Sequence, residues 1–319
     1  MVAEPEFSVV IPSYNRRESL VRVLHALCER PGGTPSFEVI VVLDGSSDGS
    51  REALAELPVP FELRVIEQPN RGASSARNAG AAVARGQFLL FLDDDILLAP
   101  GALSAHKDIQ SEIGGGCVLG DVINEAVHRG LPEYTCNGWA PEQLRKRGPV
   151  WTDLYTGHLS IPRVDFARIG GFDESLRRLE DLEFGFRCGE GELKFVFTAA
   201  ASGRQVFSKT ARECLLDRTT DGEMTARLYR RDPRIVAMTT KRRPQTEGSI
   251  RPLVLRAAAT MRMPTLVAGA LGALPLWVPG SRAVFASLNA HAYLRGVRRE
   301  MMSWRDWCEY FNRSGGWLE

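Results

Sequence analysis

The sequence predicts an α/β protein in which a mostly parallel, Rossmann-like sheet is flanked by helices and followed by a helical C-terminal region. In the N-terminal half, short apolar runs alternate with segments of helical periodicity. Several of these runs are apolar on both faces, as strands covered by helices on both sides are. Apolar residues make up 44% of the 319-residue chain, which suits a packed core.

The first 92 residues contain four predicted strands and three predicted helices. The run over 8–11 is a strand that Pro12 ends, and a helix follows with Leu20, Val23 and Leu27 on one face. A Gly/Pro loop over 31–35 leads into the second strand. The later elements are a strand over 37–43, a short helix over 50–57, a strand over 61–66, an Ala-rich helix over 74–84 and a strand over 88–92.

Three consecutive carboxylates, Asp93, Asp94 and Asp95, directly follow the fourth predicted strand. Like charges repel one another unless a cation lies between them, and a divalent cation with hard oxygen ligands is the obvious candidate. Magnesium usually takes one or two protein carboxylates and completes its shell with water and substrate phosphates. The triplet therefore indicates a metal that binds a phosphorylated substrate; the alternative is a solvated acidic turn or a helix N-cap.

Two further polar clusters, at 12–15 and 44–48, follow the first and second predicted strands. Ligands of parallel sheets bind beyond the carboxyl ends of the strands. We therefore expect one edge of the sheet to gather all three clusters.

The composition excludes several classes of function. A net charge of +1 gives no general attraction to nucleic acid, so no nucleic-acid partner is expected. The six cysteines form no CxxC pair, which disfavours a zinc or redox motif and predicts a reducing, cytoplasmic location. The acidic N-terminus enters a strand at once, unlike a signal peptide. No GxGxxG follows the first strand, which disfavours a dinucleotide-dependent oxidoreductase.

Six motifs occur in order along the chain: VVIPSYNR at 9–16, DGSSD at 44–48, NRG at 70–72 with ARNAG at 76–80, FLDDD at 91–95, GGFDE at 170–174 and ED at 180–181. Together they resemble family 2 glycosyltransferases of GT-A fold, over about residues 7–210. The resemblance implies a glycosyltransferase that moves a sugar from a nucleoside diphosphate sugar to a hydroxyl group with inversion. The acceptor would be a glycan, a lipid-linked molecule or a small molecule.

The resemblance also implies roles in donor binding. Pro12 and Tyr14 would line the pocket for the base, and Asp44 would accept a hydrogen bond from it, which favours UDP. The family often has two acids here, whereas this chain has Leu43 before Asp44. Arg71 would contribute to donor binding as well.

The metal and the general base follow from the same resemblance. Asp93 and Asp95 would form the DxD pair that binds Mg²⁺ or Mn²⁺, with Asp95 the direct ligand, and Asp94 or Asp93 would reach the ribose. Asp181 would be the general base. Arg77 is expected to contact the donor diphosphate or to make a structural hydrogen bond.

The chain departs from its relatives in two further ways. Many carry a His after the general base that helps to bind the metal or diphosphate, whereas residues 195–209 contain none and offer Arg204 and Lys209 instead. The Gln-x-x-Arg-Trp signature of processive synthases is also missing. This predicts transfer of a single sugar.

The C-terminal third differs in character, so we predict a GT-A domain over 5–215 and a helical region over 216–319. An arginine-rich run over 227–262, without matching acids, precedes the apolar segment 264–278. That segment is too short to span a bilayer, so it predicts peripheral binding to an anionic membrane surface, such as the inner face of the plasma membrane. The alternative is a buried helical hairpin. The aromatic C-terminus could join a homo-oligomer.

Two other functions compete with sugar transfer. A sugar nucleotidyltransferase would share the sheet and the metal carboxylates, but the residues at 11–14 lack the Gly-rich loop that such enzymes use. A nonenzymatic nucleotide-sugar binder would not need the intact Asp181.

Overall fold

The computed structural model of the chain describes residues 4–136, 141–240, 272, 274, 276–278 and 280–301. The chain divides into two compact units. The first comprises residues 1–124 and 140–206, and the second comprises residues 125–139 and 207–319.

Eight strands form one sheet in the described part of the chain. They are β1 (Phe7–Ser13), β2 (Phe37–Asp44), β3 (Glu62–Gln68), β4 (Phe88–Leu92), β5 (Ile96–Leu98), β6 (Cys117–Ala126), β7 (His158–Pro162) and β8 (Phe195–Phe207). The order across the sheet is β3-β2-β1-β4-β7-β6-β8-β5. The strands β3, β2, β1 and β4 are mutually parallel, whereas β7 runs antiparallel to both β4 and β6, and β5 antiparallel to β8.

The helices of the first unit flank this sheet. They are α1 (Arg17–Cys28), α2 (Ser50–Ala55), α3 (Ala73–Val83), α4 (Ala102–Ile113), α6 (Pro141–Arg147), α7 (Arg163–Ile169) and α8 (Glu180–Glu190). Every residue of β2 and β4 is buried, as the apolar runs predict. The α/β fold class with flanking helices is confirmed.

A glycine lets α3 lie close to the sheet. A Cβ added to Gly80 would lie 2.4 Å from Cγ1 of Val10 in β1. This approach holds α3 against β1 and β2, beside the edge where both strands end. Because β1, β2 and β4 are parallel, the polar residues that follow them gather at that edge.

The second unit is helical in its described residues. Its helices are α5 (Leu131–Cys136), α9 (Ala211–Arg231), α10 (Pro233–Thr240) and α11 (Ser281–Glu300). Helices α9 and α11 run in the same direction, since Arg218 lies 4.8 Å from the Tyr293 ring and Arg227 pairs with Glu300 further along both helices. Their backbones touch, because a Cβ at Gly296 would lie 1.8 Å from the Thr219 carbonyl oxygen.

The expected lack of acids beside the arginine run is wrong for its first members. Arg227 and Arg230 both pair with Glu300, at 2.7 and 2.8 Å, and Arg234 pairs with Asp232 at 2.7 Å. Residues 241–271, which hold the rest of the run and the start of the apolar segment, lie outside the described residues. No helix in the described ranges is both long and apolar enough to cross a membrane.

Candidate active site

The three aspartates after β4 lie beside residues that follow β1. Asp94 accepts a hydrogen bond from the Ser13 hydroxyl at 2.7 Å and another from Nη1 of Arg16 at 3.1 Å. The same Nη1 atom of Arg16 donates to Asp95 at 2.8 Å, and Gln205 of β8 donates to the other oxygen of Asp95 at 2.9 Å. One guanidinium nitrogen is therefore held between two carboxylates, as expected of an edge that gathers the strand ends.

One guanidinium group carries a single positive charge and contacts both carboxylates, so the negative charge of Asp94 and Asp95 together is not balanced. Burial raises the pKa of Asp94 to about 6, although Arg16 works in the opposite direction. Burial and the neighbouring Asp93 likewise raise the pKa of Asp95. A further cation would stabilise the ionised form of both groups.

These carboxylates could bind a divalent cation only if substrate phosphates supplied further ligands. Among the described residues, no group of three or more His, Cys, Asp or Glu side chains is arranged to hold a metal ion. Two converging carboxylates match the one or two that Mg²⁺ takes in phosphate-binding sites. The fact that Asp94 and Asp95 already share one positive group shows that their oxygens converge on a single cation position.

Arg77 of α3 connects the aspartates to the start of α8. Its Nη2 atom donates to Asp93 at 2.7 Å and its Nη1 atom donates to Glu180 at 2.8 Å. The side chain is only 5% exposed and its guanidinium lies 5.8 Å from the centre of the Phe172 ring. Burial opposes its charge, but the two carboxylates outweigh burial and raise the pKa of Arg77 further. Each terminal nitrogen of Arg77 thus donates a hydrogen bond to a different carboxylate.

Asp181 lies in the first turn of α8, next to the Glu180 that Arg77 holds. The helix starts after Leu179, whose φ of 63° is left-handed and turns the chain sharply before these acids. One oxygen of Asp181 accepts the backbone N–H of Leu182 at 2.8 Å. Burial and the adjacent Glu180 raise the pKa of Asp181 to about 7. A carboxylate with a pKa near neutrality is suited to accept a proton.

The residues expected at the base pocket differ in exposure. Tyr14 is 50% exposed and Pro12 is half-buried, so the Tyr14 ring can be reached from solvent. The Asp44 carboxylate accepts hydrogen bonds from the Gln68 side chain and from the backbone N–H groups of Arg71 and Gly72, at 2.7 to 2.8 Å. Asp44 therefore anchors the loop before α3, and about one of its four acceptor positions stays available.

The side chain of Arg71 lies away from this anchor. It pairs with Glu174 at 3.0 Å and is 62% exposed. Lys209, expected near the site in place of a His, pairs instead with Asp217 at 2.5 Å.

Four site residues were missed by sequence reasoning: Arg16, Gln205, Tyr155 and Gly157. The Tyr155 hydroxyl lies 3.3 Å from the Asp93 carboxylate, and the Gly157 carbonyl accepts the Asp93 backbone N–H at 3.0 Å. A Cβ at Gly157 would lie 2.6 Å from the Asp93 carboxylate. Arg16 is the last residue of the 9–16 motif, so the motif could have indicated it. The other three residues lie in segments that show no recognisable pattern.

His158 at the start of β7 is a core residue. Its Nε2 atom lies 3.1 Å from Nε2 of His106, and both rings are fully buried. Burial lowers the pKa of His158 to about 4, so the ring stays neutral near pH 7. Gly120 leaves room for the ring, since a Cβ there would lie 2.2 Å from it.

Most of the first unit matches the model of a known protein family. Residues 8–165 match the model of the family described as glycosyl transferase family 2. A validoxylamine A glucosyltransferase of Streptomyces hygroscopicus subsp. jinggangensis is 33% identical over 218 residues, covering 57% of this chain and 51% of that protein. An uncharacterized glycosyltransferase of Haemophilus influenzae is 29% identical over 181 residues, covering 56% and 60%. The chain therefore spans about half the length of the first of these relatives.

Solved structures share the fold over nearly the whole chain. Residues 1–349 of S. aureus TarS in complex with UDP give a TM-score of 0.53 at 17% identity, covering 92% of this chain and 90% of that one. The mannosyltransferase PcManGT from Pyrobaculum calidifontis, in complex with GDP-Man and Mn²⁺, gives 0.63 at 17% identity, covering 94% and 89%. At this identity the likeness establishes the fold.

Proposed function

We propose that this chain, whose residues 8–165 belong to glycosyl transferase family 2, is a glycosyltransferase that transfers a single sugar from a nucleoside diphosphate sugar to a hydroxyl group with inversion. The observation that carries the proposal is the convergence of Asp94 and Asp95 on one cation position, linked through Asp93, Arg77 and Glu180 to a carboxylate with a raised pKa. Family membership disfavours the two competing functions, a nucleotidyltransferase and a nonenzymatic binder.

The donor's base is proposed to bind at the ends of β1 and β2. The exposed ring of Tyr14 offers a stacking surface beside Pro12, and the free acceptor position of Asp44 suits the ring N–H of uracil. UDP is therefore the favoured nucleotide. The solved relatives bind either UDP or GDP-Man, so the screen below includes both.

The aspartates are proposed to hold a divalent cation, Mg²⁺ or Mn²⁺, with Asp95 as direct ligand and Asp93 as the second. When bound, the cation would act as a Lewis acid that stabilises the charge of the departing diphosphate. Asp94 accepts a hydrogen bond from Ser13 and is proposed to orient the ribose together with Asp93. The Mn²⁺ bound to the mannosyltransferase supports a metal-dependent reaction.

Asp181 is proposed to be the general base. A hydroxyl is a poor nucleophile near neutral pH, and a positioned carboxylate that takes its proton contributes about 10²–10⁴-fold. The carboxylate keeps one oxygen on the Leu182 N–H, which fixes its orientation at the helix start. Inversion needs one base and no covalent intermediate, so the single Asp181 suffices.

Arg77 is proposed to position these groups. Both of its terminal nitrogens are bound to carboxylates, which favours the structural role over contact with the donor diphosphate. It thereby fixes the distance between the metal-binding turn and the helix that carries the base. Arg71, whose side chain is exposed, is proposed to contact the donor.

The acceptor is proposed to be a small molecule. The relative named for glucosyl transfer to validoxylamine A supports this class, and the missing processive signature supports a single transfer. A glycan or lipid-linked acceptor remains the alternative, and it would accompany peripheral binding to an anionic membrane. The pairing of Arg227 and Arg230 with Glu300 weakens the electrostatic part of that alternative.

A donor screen tests the proposal. The purified chain is incubated with UDP-, GDP- and dTDP-sugars, a panel of small-molecule hydroxyl acceptors and Mn²⁺ or Mg²⁺, and both the released nucleoside diphosphate and the glycosylated product are measured. We expect a UDP-sugar to react fastest and excess EDTA to abolish the reaction. Full activity in excess EDTA contradicts the dependence on a divalent cation. Turnover of GDP- or dTDP-sugars without turnover of UDP-sugars contradicts the assignment of uracil as the base.

A further inference from the structure

Arg16 covers Asp95, which the proposed function makes the direct ligand of a metal ion, and the neighbouring Asp94. Its side chain is 30% exposed, whereas those of Asp94 and Asp95 are each 8% exposed. A single atom, Nη1, lies 3.1 Å from one carboxylate and 2.8 Å from the other. The positive group thus lies between the buried carboxylates and solvent, at the position where their oxygens converge.

We propose that Arg16 is an exchangeable internal cation: it neutralises Asp94 and Asp95 in the donor-free protein, and it moves to the diphosphate of the donor when a divalent cation takes its place. The proposal rests on the proposed function, because it assumes that Asp95 binds a divalent cation. It assigns Arg16 a role in donor and metal binding that its place in the 9–16 motif does not specify.

Competition follows from the geometry of the pair. The four oxygens of Asp94 and Asp95 already have donors, from Ser13, Gln205 and twice from Arg16. A divalent cation that binds Asp95 where the two carboxylates converge competes with Arg16, because Nη1 already lies at that position. Two positive groups at one position would also repel each other.

The destination of the displaced side chain follows from its place in the fold. Arg16 directly precedes α1, beyond the carboxyl end of β1, where ligands of parallel sheets bind. The donor brings a diphosphate to the same edge together with the cation. A guanidinium matches phosphate oxygens with paired, charge-assisted hydrogen bonds, so a released Arg16 would find its new partner there.

The exchange makes metal and diphosphate binding mutually dependent. In the wild type, the cation must break the contacts of Arg16, and the diphosphate then restores them in a new form. In a variant without the guanidinium, the cation breaks no such contacts and the diphosphate forms none. The factor by which Mn²⁺ tightens diphosphate binding should therefore be larger in the wild type, and reciprocity requires the same change in the effect of diphosphate on Mn²⁺.

The chain offers a matched control in Arg17. Arg17→Gln removes the same charge one position later on an exposed side chain. Among the described residues, no hydrogen bond or ion pair joins the Arg17 side chain to the three aspartates; its backbone N–H donates to Asp48 at 2.8 Å and would survive the substitution. Arg16→Lys is a second variant that keeps a charge at the critical position.

The test measures binding rather than turnover. Mn²⁺ affinity is determined at pH 8 by electron paramagnetic resonance for the wild type, Arg16→Gln, Arg16→Lys, Arg17→Gln and Asp95→Ala, each with and without UDP. We expect Arg16→Gln to bind Mn²⁺ alone about tenfold more tightly than the wild type, since hydrogen bonds between charged groups are commonly worth at least that factor. Arg17→Gln and Arg16→Lys should stay near the wild type.

The measurements with UDP test whether Arg16 moves to the diphosphate. At saturating Mn²⁺, Arg16→Gln should bind UDP about tenfold more weakly, so that the coupling between Mn²⁺ and UDP falls relative to the wild type and to Arg17→Gln. Equal Mn²⁺ affinity in Arg16→Gln and wild type, with Asp95→Ala clearly weaker, overturns the exchange and leaves the metal site standing. If even the wild type binds no Mn²⁺ with UDP present, the proposed cation site itself is wrong and the exchange falls with it.

Discussion

Replacing Arg77 with Met should destabilise the first unit far more than the same change at Arg71. Both arginines lie within seven residues of each other and pair with acids of the segment before or at the start of α8. Arg77 is 5% exposed and pairs with Asp93 and Glu180, whereas Arg71 is 62% exposed and, among the described residues, pairs with Glu174. The two variants remove the same chemical group, so the comparison measures the combined effect of burial and of a second carboxylate partner.

The expected losses of unfolding free energy differ by about 2–3 kcal/mol between the two variants. Removing one partner of a buried ion pair costs about 3–5 kcal/mol, because the remaining charge stays unpaired. Asp93 is 26% and Glu180 is 14% exposed, so water reaches both in part and we expect the lower end, about 3 kcal/mol. An exposed pair such as Arg71–Glu174 is worth about 0–1 kcal/mol.

Equilibrium urea unfolding, followed by circular dichroism and by fluorescence, measures the difference. Coincidence of the two signals tests whether one transition describes the unfolding, and midpoints are compared at a common slope. We expect Arg77→Met to lower the midpoint clearly and Arg71→Met to leave it nearly unchanged. Equal midpoints for the two variants would refute the reasoning that Arg77 is the buried connection between the aspartates and α8.

Three further predictions address binding, pH and packing. Tyr14→Ala should raise the donor KM about tenfold with little change in the unfolding midpoint, because a base that stacks on an aromatic ring gains about 1–3 kcal/mol; an unchanged KM places the base elsewhere. The value of kcat/KM should rise with pH through about 7 and then level off, since Asp181 accepts a proton only when ionised and burial holds its pKa there; a rate that is flat from pH 5 to 9 contradicts this. Gly296→Ala should destabilise the second unit by about 2 kcal/mol in a thermal melt, because a methyl group must separate α9 from α11; an unaltered melt would show that these helices are not in contact.

The parallel half of the sheet was predictable because its signal is local. Strands β1, β2 and β4 are apolar on both faces and end in polar clusters, and the structure places those ends at one edge. The antiparallel strands that extend the sheet were harder to predict. In particular, β5 has only three residues and pairs with β8, about a hundred residues later, so no short-range pattern specifies it.

The site was predictable to the level of residue type, but its contacts were not. The carboxylates were found from their spacing, yet their partners come from other elements: Gln205 reaches Asp95 from β8, and Arg16 from the start of α1. Asp44 was expected to face the base, and its three hydrogen bonds come from the end of β3 and the loop after it, 24 to 28 residues later. The pairing of Arg227 and Arg230 was hidden for the same reason, since their acid, Glu300, lies about 70 residues downstream, whereas Asp232, which pairs with Arg234, lies within the run.

Asp181→Asn tests the central claim most directly, because the substitution removes the proposed base with almost no change in shape. Donor affinity is measured by calorimetry, and sugar transfer by single-turnover kinetics with the donor and acceptor found in the screen. We predict an unchanged donor affinity and a transfer rate that falls by at least about 10²-fold, since the lost interaction acts in the transition state. A variant that transfers sugar at the wild-type rate would contradict the account.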